Sequence, residues 1–248
     1  MKALVTGASS GIGRDIARYL STLGYDLVIV ARRENLLEEL KKDLKTNVEI
    51  EVVDVSQKEN CVKLFEKHKD IDLLVNNAGF GLFGEFTDID LDKEISLIDT
   101  NIKAIHILTK LYVQKMKKRN SGNILNVASI AGFMTGPLMA SYYASKNYVV
   151  ELSSAINKEL KKAKSNVRIS ILCPGPVDTN FNNVAGVKFS IKALSSEYVA
   201  KYAIDKTLKG KEIIIPGLGI KILYGLNKIS PRCISTEIAY HTQKSKKK

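Results

Sequence analysis

Residues 3–13 read Ala3-Leu4-Val5-Thr6-Gly7-Ala8-Ser9-Ser10-Gly11-Ile12-Gly13. A short apolar run passes through a glycine-rich turn straight into a helical pattern. Glycines there let the backbone turn sharply and approach a pyrophosphate. The following helix offers unpaired N–H groups and its positive dipole end to the anion. A glycine string alone is weak evidence; between a strand and a helix it becomes specific. The same residues also read as G-x-S-x-G, the nucleophile elbow of a serine hydrolase. That elbow needs an oxyanion loop from an earlier strand, and its histidine would have to be His68, His106 or His241. The phosphate cradle is therefore the preferred reading.

Outward from this turn, short runs of Val, Ile and Leu alternate with helix-period stretches. Strands are expected at Ala3–Val5, Asp26–Ala31, Val48–Val53, Ile71–Val75, Asn123–Val127, Val167–Leu172 and Glu212–Ile215. Helices are expected near 12–23, 33–45, 57–69, 91–119, 141–163 and 196–208. Continuous apolar runs belong to strands buried on both faces. Strict alternation, with right-handed crossovers, implies an α/β fold: a Rossmann-type doubly wound parallel sheet of about seven strands with helices on both faces. Residues 1–248 read as one domain, with a lid over 180–197 and a C-terminal extension over 217–248. In that extension Ile220, Leu223, Tyr224 and Leu226 lie at helical spacing beside Lys221 and Lys228, and the lysine tail is expected to fray.

The composition agrees. In 248 residues, 45% are hydrophobic and 26% charged, enough for a packed core and too apolar for a disordered chain. No apolar run is long enough to span a bilayer and the N-terminal run is too short for a signal peptide, so a cytoplasmic protein is expected. Cys61, Cys173 and Cys233 are scattered, as are the three histidines, so neither a disulfide framework nor a metal site is expected. The net charge of +12 could attract nucleic acid, an anionic membrane or an anionic small molecule. Without interleaved aromatics to stack bases, nucleic acid is not expected, whereas a weak membrane-surface contact through the basic C-terminal segment is.

Further stretches carry chemistry. The second strand ends in Ala31-Arg32-Arg33, with no carboxylate before Glu34. An acid there would accept from the ribose hydroxyls of NAD, whereas a guanidinium fork would hold a 2′-phosphate. The pair predicts NADP(H), with Arg32 the principal contact and Arg33 the lesser one. Tyr142 and Lys146, four residues apart in a helical stretch, share a face. An ammonium beside a phenol lowers its pKa toward the neutral range. Asn126-Val127-Ala128-Ser129 ends a predicted strand on a hydroxyl that could hold a carbonyl oxygen while Tyr142 supplies a proton. Asn76-Asn77-Ala78-Gly79 and Cys173-Pro174-Gly175-Pro176-Val177-Asp178-Thr179 end two neighbouring strands.

On the glycine-rich loop Thr6–Gly13, Asn76–Gly79, Ser129 and the Tyr142/Lys146 pair, in this order and spacing, the sequence resembles the short-chain dehydrogenase/reductase family as far as about Pro216. The resemblance implies that Tyr142 is the general acid or base. Lys146 would tune Tyr142 and bind the nicotinamide ribose, Ser129 would hold the substrate oxygen, and Asn101 would anchor a proton-relay water. It also implies a dinucleotide held by Gly7, Ser9, Ser10, Gly11, Ile12 and Gly13, by Asp54 and Val55 at the adenine, and by Asn77, Ala78 and Gly79 beside the adenosine ribose. Pro174, Gly175, Val177 and Thr179 would fix the nicotinamide, with Tyr142 and Lys146 completing the cofactor contacts. Many NADP-preferring relatives carry Lys or Arg where this chain has Ser10, so the phosphate reading leans on Arg32. The implied activity is an NADP(H)-dependent carbonyl reductase or alcohol dehydrogenase acting on a small molecule, as a homodimer or homotetramer pairing through 91–119 and 141–163. A 3-oxoacyl-[acyl-carrier-protein] reductase is one alternative, and a cofactor-bound, non-catalytic sensor or scaffold is another. Phe80, Phe83, Phe133, Met134, Leu138 and Met139 could line an apolar substrate pocket.

Overall fold

The computed structural model describes residues 1–179, 181 and 193–244. Seven strands form one sheet: β1 (Lys2–Thr6), β2 (Asp26–Ala31), β3 (Val48–Val52), β4 (Leu73–Asn76), β5 (Asn123–Val127), β6 (Arg168–Leu172) and β9 (Ile213–Ile214). Their spatial order is β3-β2-β1-β4-β5-β6-β9, and every pairing is parallel. Order reverses between β1 and β4, the switch point at which open α/β sheets bind ligands beyond the strand carboxyl ends. A separate two-stranded pair joins β7 (Val177–Asp178) to β8 (Leu194–Ser195).

Alternation along the strands builds two cores. Ala3 and Val5 of β1 and Leu27 and Ile29 of β2 face α1 (Gly11–Thr22), α2 (Glu34–Asp43) and α7 (Ser196–Leu208). Leu4, Val28 and Val30 face the opposite way, toward α3 (Lys58–Lys67), α5 (Ala104–Arg119) and α6 (Ala140–Lys162). Residues inaccessible on both faces are what the uninterrupted Val, Ile and Leu runs demand.

Two departures concern helices. The stretch 91–119 is not one regular helix: α4 (Leu91–Ile98) passes through a π-helical segment at Asp99–Lys103 into α5. Beyond residue 217 there are two helices, α8 (Leu218–Ile229) and α9 (Arg232–Lys244), where only the first was expected. Pro231 separates them, since its ring cannot continue a preceding helix. Of the expected lid, Asn180 and 182–192 lie outside the described residues, while Ser195 caps the start of α7 by accepting from Tyr198 N.

Candidate active site

The glycine-rich turn follows β1 and opens α1. Gly7 and Gly11 adopt left-handed backbone (φ +66° and +55°), which L side chains rarely adopt. A Cβ on Gly13 would lie 2.3 Å from Asn77 Nδ2 and 2.5 Å from Gly7 O, and one on Gly11 would lie 3.0 Å from Thr179 Cγ2. No side chain caps the first turn of α1, and no acid lies in it, so its N–H groups and dipole remain free for an anion. Asn77 Nδ2 donates to Thr6 O (3.0 Å) and Gly7 O (3.2 Å), tying the loop to the end of β4. The Thr6 hydroxyl accepts from Asn77 N and Ala78 N. This bracing by Thr6 was not legible in the sequence, because a threonine at a strand end has no distinctive pattern.

The two arginines after β2 separate. Arg33 reaches across the loop, its Nη2 donating to Ser9 Oγ (2.8 Å) and Ser10 Oγ (2.9 Å). Arg32 is 72% exposed, and its nearest carboxylate is Asp54 Oδ2 at 3.8 Å. Asp54 also accepts from Ser56 N, and Val55 beside it is buried.

Ser129, Tyr142, Lys146 and Asn101 converge beyond the carboxyl ends of β4 and β5. Ser129 is extended; its Oγ accepts from Ala131 N at 3.2 Å and caps a 3₁₀ turn at Ile130–Phe133. The Ser129 hydroxyl also donates weakly to Pro174 O (3.5 Å) and lies near enough to Tyr142 to favour its phenolate. Lys146 is buried, donates to Val127 O (3.0 Å) and holds Nζ 5.8 Å from the Tyr142 ring centroid. Asn101 sits in the π-helical segment; its Nδ2 donates to Phe80 O (2.9 Å) and Ser145 Oγ (3.1 Å), while its Oδ1 accepts from Phe80 N. A Cβ on Gly79 would lie 2.9 Å from Asn101 Oδ1 and 3.5 Å from Lys146 Nζ, so this glycine lets the loop close over both. Beneath them Asn76 Nδ2 donates to Asn126 Oδ1 and Thr109 Oγ1, and Asn126 Nδ2 donates to Ser153 Oγ, a buried network joining β4, β5, α5 and α6.

The electrostatics differ from the expectation of an acidified phenol. Desolvation pushes Tyr142 up to about 12, and the Ser129 hydroxyl only partly opposes it. Burial brings Lys146 down to about 8. The ammonium lies over the ring and bonds a carbonyl rather than the phenol oxygen, so desolvation prevails.

The third strand end completes the enclosure. Pro174 O accepts from Ile130 N (2.9 Å), and a Cβ on Gly175 would meet Ile220 of α8 at 2.5 Å. Val177 is buried in β7, and Thr179 closes over Gly11. Of the expected apolar lining, Met139 and Phe83 cluster with Tyr142, Tyr143 and Phe181, the last 5.4 Å from the Tyr142 ring. Phe133 instead packs on Tyr224 of α8. Gln243 of α9 is buried and donates to the Tyr143 hydroxyl, a contact hidden from the sequence by its distance along the chain. Among the described residues, no cluster of three or more His, Cys, Asp and Glu side chains could hold a metal ion.

Residues 1–187 match the family model for short-chain dehydrogenases. An uncharacterised oxidoreductase of Staphylococcus saprophyticus is 40% identical over 185 residues, covering 71% of this chain and 78% of that relative. A 3-oxoacyl-[acyl-carrier-protein] reductase of Rickettsia prowazekii is 36% identical over 184 residues, covering 73% and 74%. A short-chain dehydrogenase from Sphingobium yanoikuyae, solved in complex with NADPH, superposes with a TM-score of 0.81 at 26% identity over 92% of this chain and 93% of that one.

Proposed function

The chain belongs to the short-chain dehydrogenase/reductase family, and on that premise we propose that it is an NADP(H)-dependent reductase of carbonyl groups. The observation that carries this reading is the convergence of Ser129, Tyr142 and the buried Lys146 beyond the carboxyl ends of the parallel strands.

The glycine loop fits a dinucleotide: side chains on Gly7, Gly11 and Gly13 would fill the cradle, and the α1 N–H groups are free. Gly7, Ser9, Ser10, Gly11, Ile12 and Gly13 would hold the pyrophosphate and nearby ribose. Asp54 and Val55 would meet the adenine, and Asn77, Ala78 and Gly79 would flank the adenosine ribose. Pro174, Gly175, Val177 and Thr179 would frame the nicotinamide. Arg33 is engaged with the loop serines, which leaves Arg32 as the cation open to a 2′-phosphate.

When bound, the nicotinamide supplies or accepts the hydride. Ser129 donates a hydrogen bond to the substrate carbonyl oxygen and fixes its direction. Tyr142 donates the proton to that oxygen as it becomes an alkoxide. With its pKa near 12, Tyr142 stays protonated at neutral pH, the state reduction requires; alcohol oxidation needs the phenolate, which burial disfavours. Lys146 supplies positive charge behind the ring in a site poor in water, where charge acts most strongly. Asn101 holds the loop at Phe80 against α6 and so fixes the site's floor.

A second reading, reduction of 3-oxoacyl thioesters on an acidic carrier protein, is favoured by the relative from Rickettsia prowazekii and the +12 charge. Pairing of subunits is proposed through α4, α5 and α6, where Leu91, Ile95 and Ile98 are exposed. The test is an oxidation screen with NADPH and NADH over ketones, 3-oxoacyl thioesters and quinones. NADPH should be consumed with at least one class and preferred over NADH, and Arg32→Ala should narrow that preference. No consumption with any class would defeat the proposal.

A further inference from the structure

Helix α8 has two unlike faces. Ile220 and Tyr224 pack inward against the Phe133 turn, and Asn227 Nδ2 donates to Phe133 O at 2.6 Å. On its other side Leu218, Ile222 and Leu226 recur every four residues, and in α9 Ile234 and Ile238 recur at the same spacing. All five are between 52% and 74% exposed, although helices of folded domains ordinarily bury such a stripe. The segment is cationic in sequence: residues 217–248 contain Lys221, Lys228, Arg232, Lys244, Lys246, Lys247 and Lys248 against Glu237 alone, with Lys221 donating to the Tyr202 hydroxyl and Lys228 lying over the Tyr224 ring. Among the described residues, no carboxylate pairs with Lys221, Lys228, Arg232 or Lys244. Glu237 accepts from His241.

We propose that α8 and α9 form a docking surface for an anionic lipid bilayer, with the five apolar side chains entering the interface and the surrounding cations on the head groups. The charge pattern selects this occupant. A second copy docked by two-fold symmetry would set these cations against their own duplicates, and like charges facing one another oppose association. An acidic bilayer accepts both the apolar stripe and the cations. Attachment is to the surface, since no helix among the described residues is long and apolar enough to cross a membrane. The same segment walls a cavity of about 620 Å³, bounded by Asn227, Ser230, Arg232 and Ser235 on one side and by Met134 and Tyr143 on the other. Docking therefore places lipid beside a cavity that reaches the catalytic helix α6.

Co-sedimentation of the full chain with vesicles tests this, and it reads binding rather than turnover, so its result is independent of the reductase assignment. The chain should sediment with equimolar phosphatidylglycerol and phosphatidylcholine vesicles, less with pure phosphatidylcholine, and progressively less as salt rises. The double variant Ile222→Glu, Leu226→Glu, altered only at solvent-exposed sites, should weaken binding at least ~10-fold while melting like the parent. Lys221→Gln with Lys228→Gln should weaken binding to the anionic vesicles alone. Failure to sediment with phosphatidylglycerol vesicles at low salt overturns the proposal, as does undiminished binding by the glutamate variant. A wild-type oligomer that the glutamate variant splits, without vesicle binding, assigns the face to a second copy instead.

Discussion

Lys146 shows how a single position is set by opposing demands. Its ammonium is buried, donates to Val127 O, and is held at about 8 by desolvation. A base with a depressed folded pKa destabilises the fold wherever it must still be protonated. Stability of the cofactor-free protein should therefore rise between pH ~8 and ~10.5 and then level at this residue's contribution. The shift from 10.5 to about 8 corresponds to roughly 3 kcal/mol at neutral pH. Lys146→Met should recover most of that, less about 1 kcal/mol for the lost hydrogen bond, and should flatten the pH slope. Urea melts from pH 7 to 10.5 check this; an unchanged slope in the variant would contradict it. Sequence reasoning placed Tyr142 and Lys146 on one helical face, because spacing alone determines that. It predicted a lowered phenol pKa, and the structure shows the reverse, because the depth of burial is set by packing from Phe83, Met139, Tyr143 and Phe181 that spacing does not reveal. The arginines make the same point: Ala31-Arg32-Arg33 is plain in the chain, but Arg33 bracing Ser9 and Ser10 while Arg32 stays open is a matter of tertiary geometry.

At the level of elements, the strands were the most legible features. Residues such as Leu4, Val28 and Ile29 have no exposed face, so their apolar runs announce them. Helix α9 was illegible: Ile234 and Ile238 are a lone helical repeat in a mostly polar stretch, and its anchorage comes from Gln243 on Tyr143 and Thr236 on Thr135. The π-helical segment was equally hidden, because one extra residue in a turn leaves no compositional trace. Its consequence is testable. The wider turn places the Asn101 side chain where it pairs with both backbone polar groups of Phe80 and with Ser145. Asn101→Ala should strand these groups and cost about 3 kcal/mol in urea unfolding, with an unchanged m-value. A loss below about 0.5 kcal/mol, within the range of ordinary surface substitutions, would mean the turn is held by something else.

Across the whole molecule, strand ends and the N-terminus of α1 frame the site that holds Ser129 and Tyr142, and the two C-terminal helices pack beside it at Phe133 and Tyr143. The doubly wound parallel sheet was readable because alternating strands and helices permit few topologies, whereas the strand order came only from the structure. The C-terminal wall was not, since its contacts join residues about a hundred positions apart, as in Tyr143 with Gln243. The central claim is that this assembly passes a hydride to a carbonyl carbon while Tyr142 protonates the oxygen. The most direct measurement pairs wild type with Tyr142→Phe, each incubated with 4,4-dideuterated NADPH and a ketone taken from the screen, with the product alcohol analysed by mass spectrometry. Wild type should place one deuterium on the carbinol carbon, and Tyr142→Phe should form that product about 10³-fold more slowly while binding NADPH with nearly unchanged affinity. Deuterated alcohol formed at the wild-type rate by the phenylalanine variant would contradict the account.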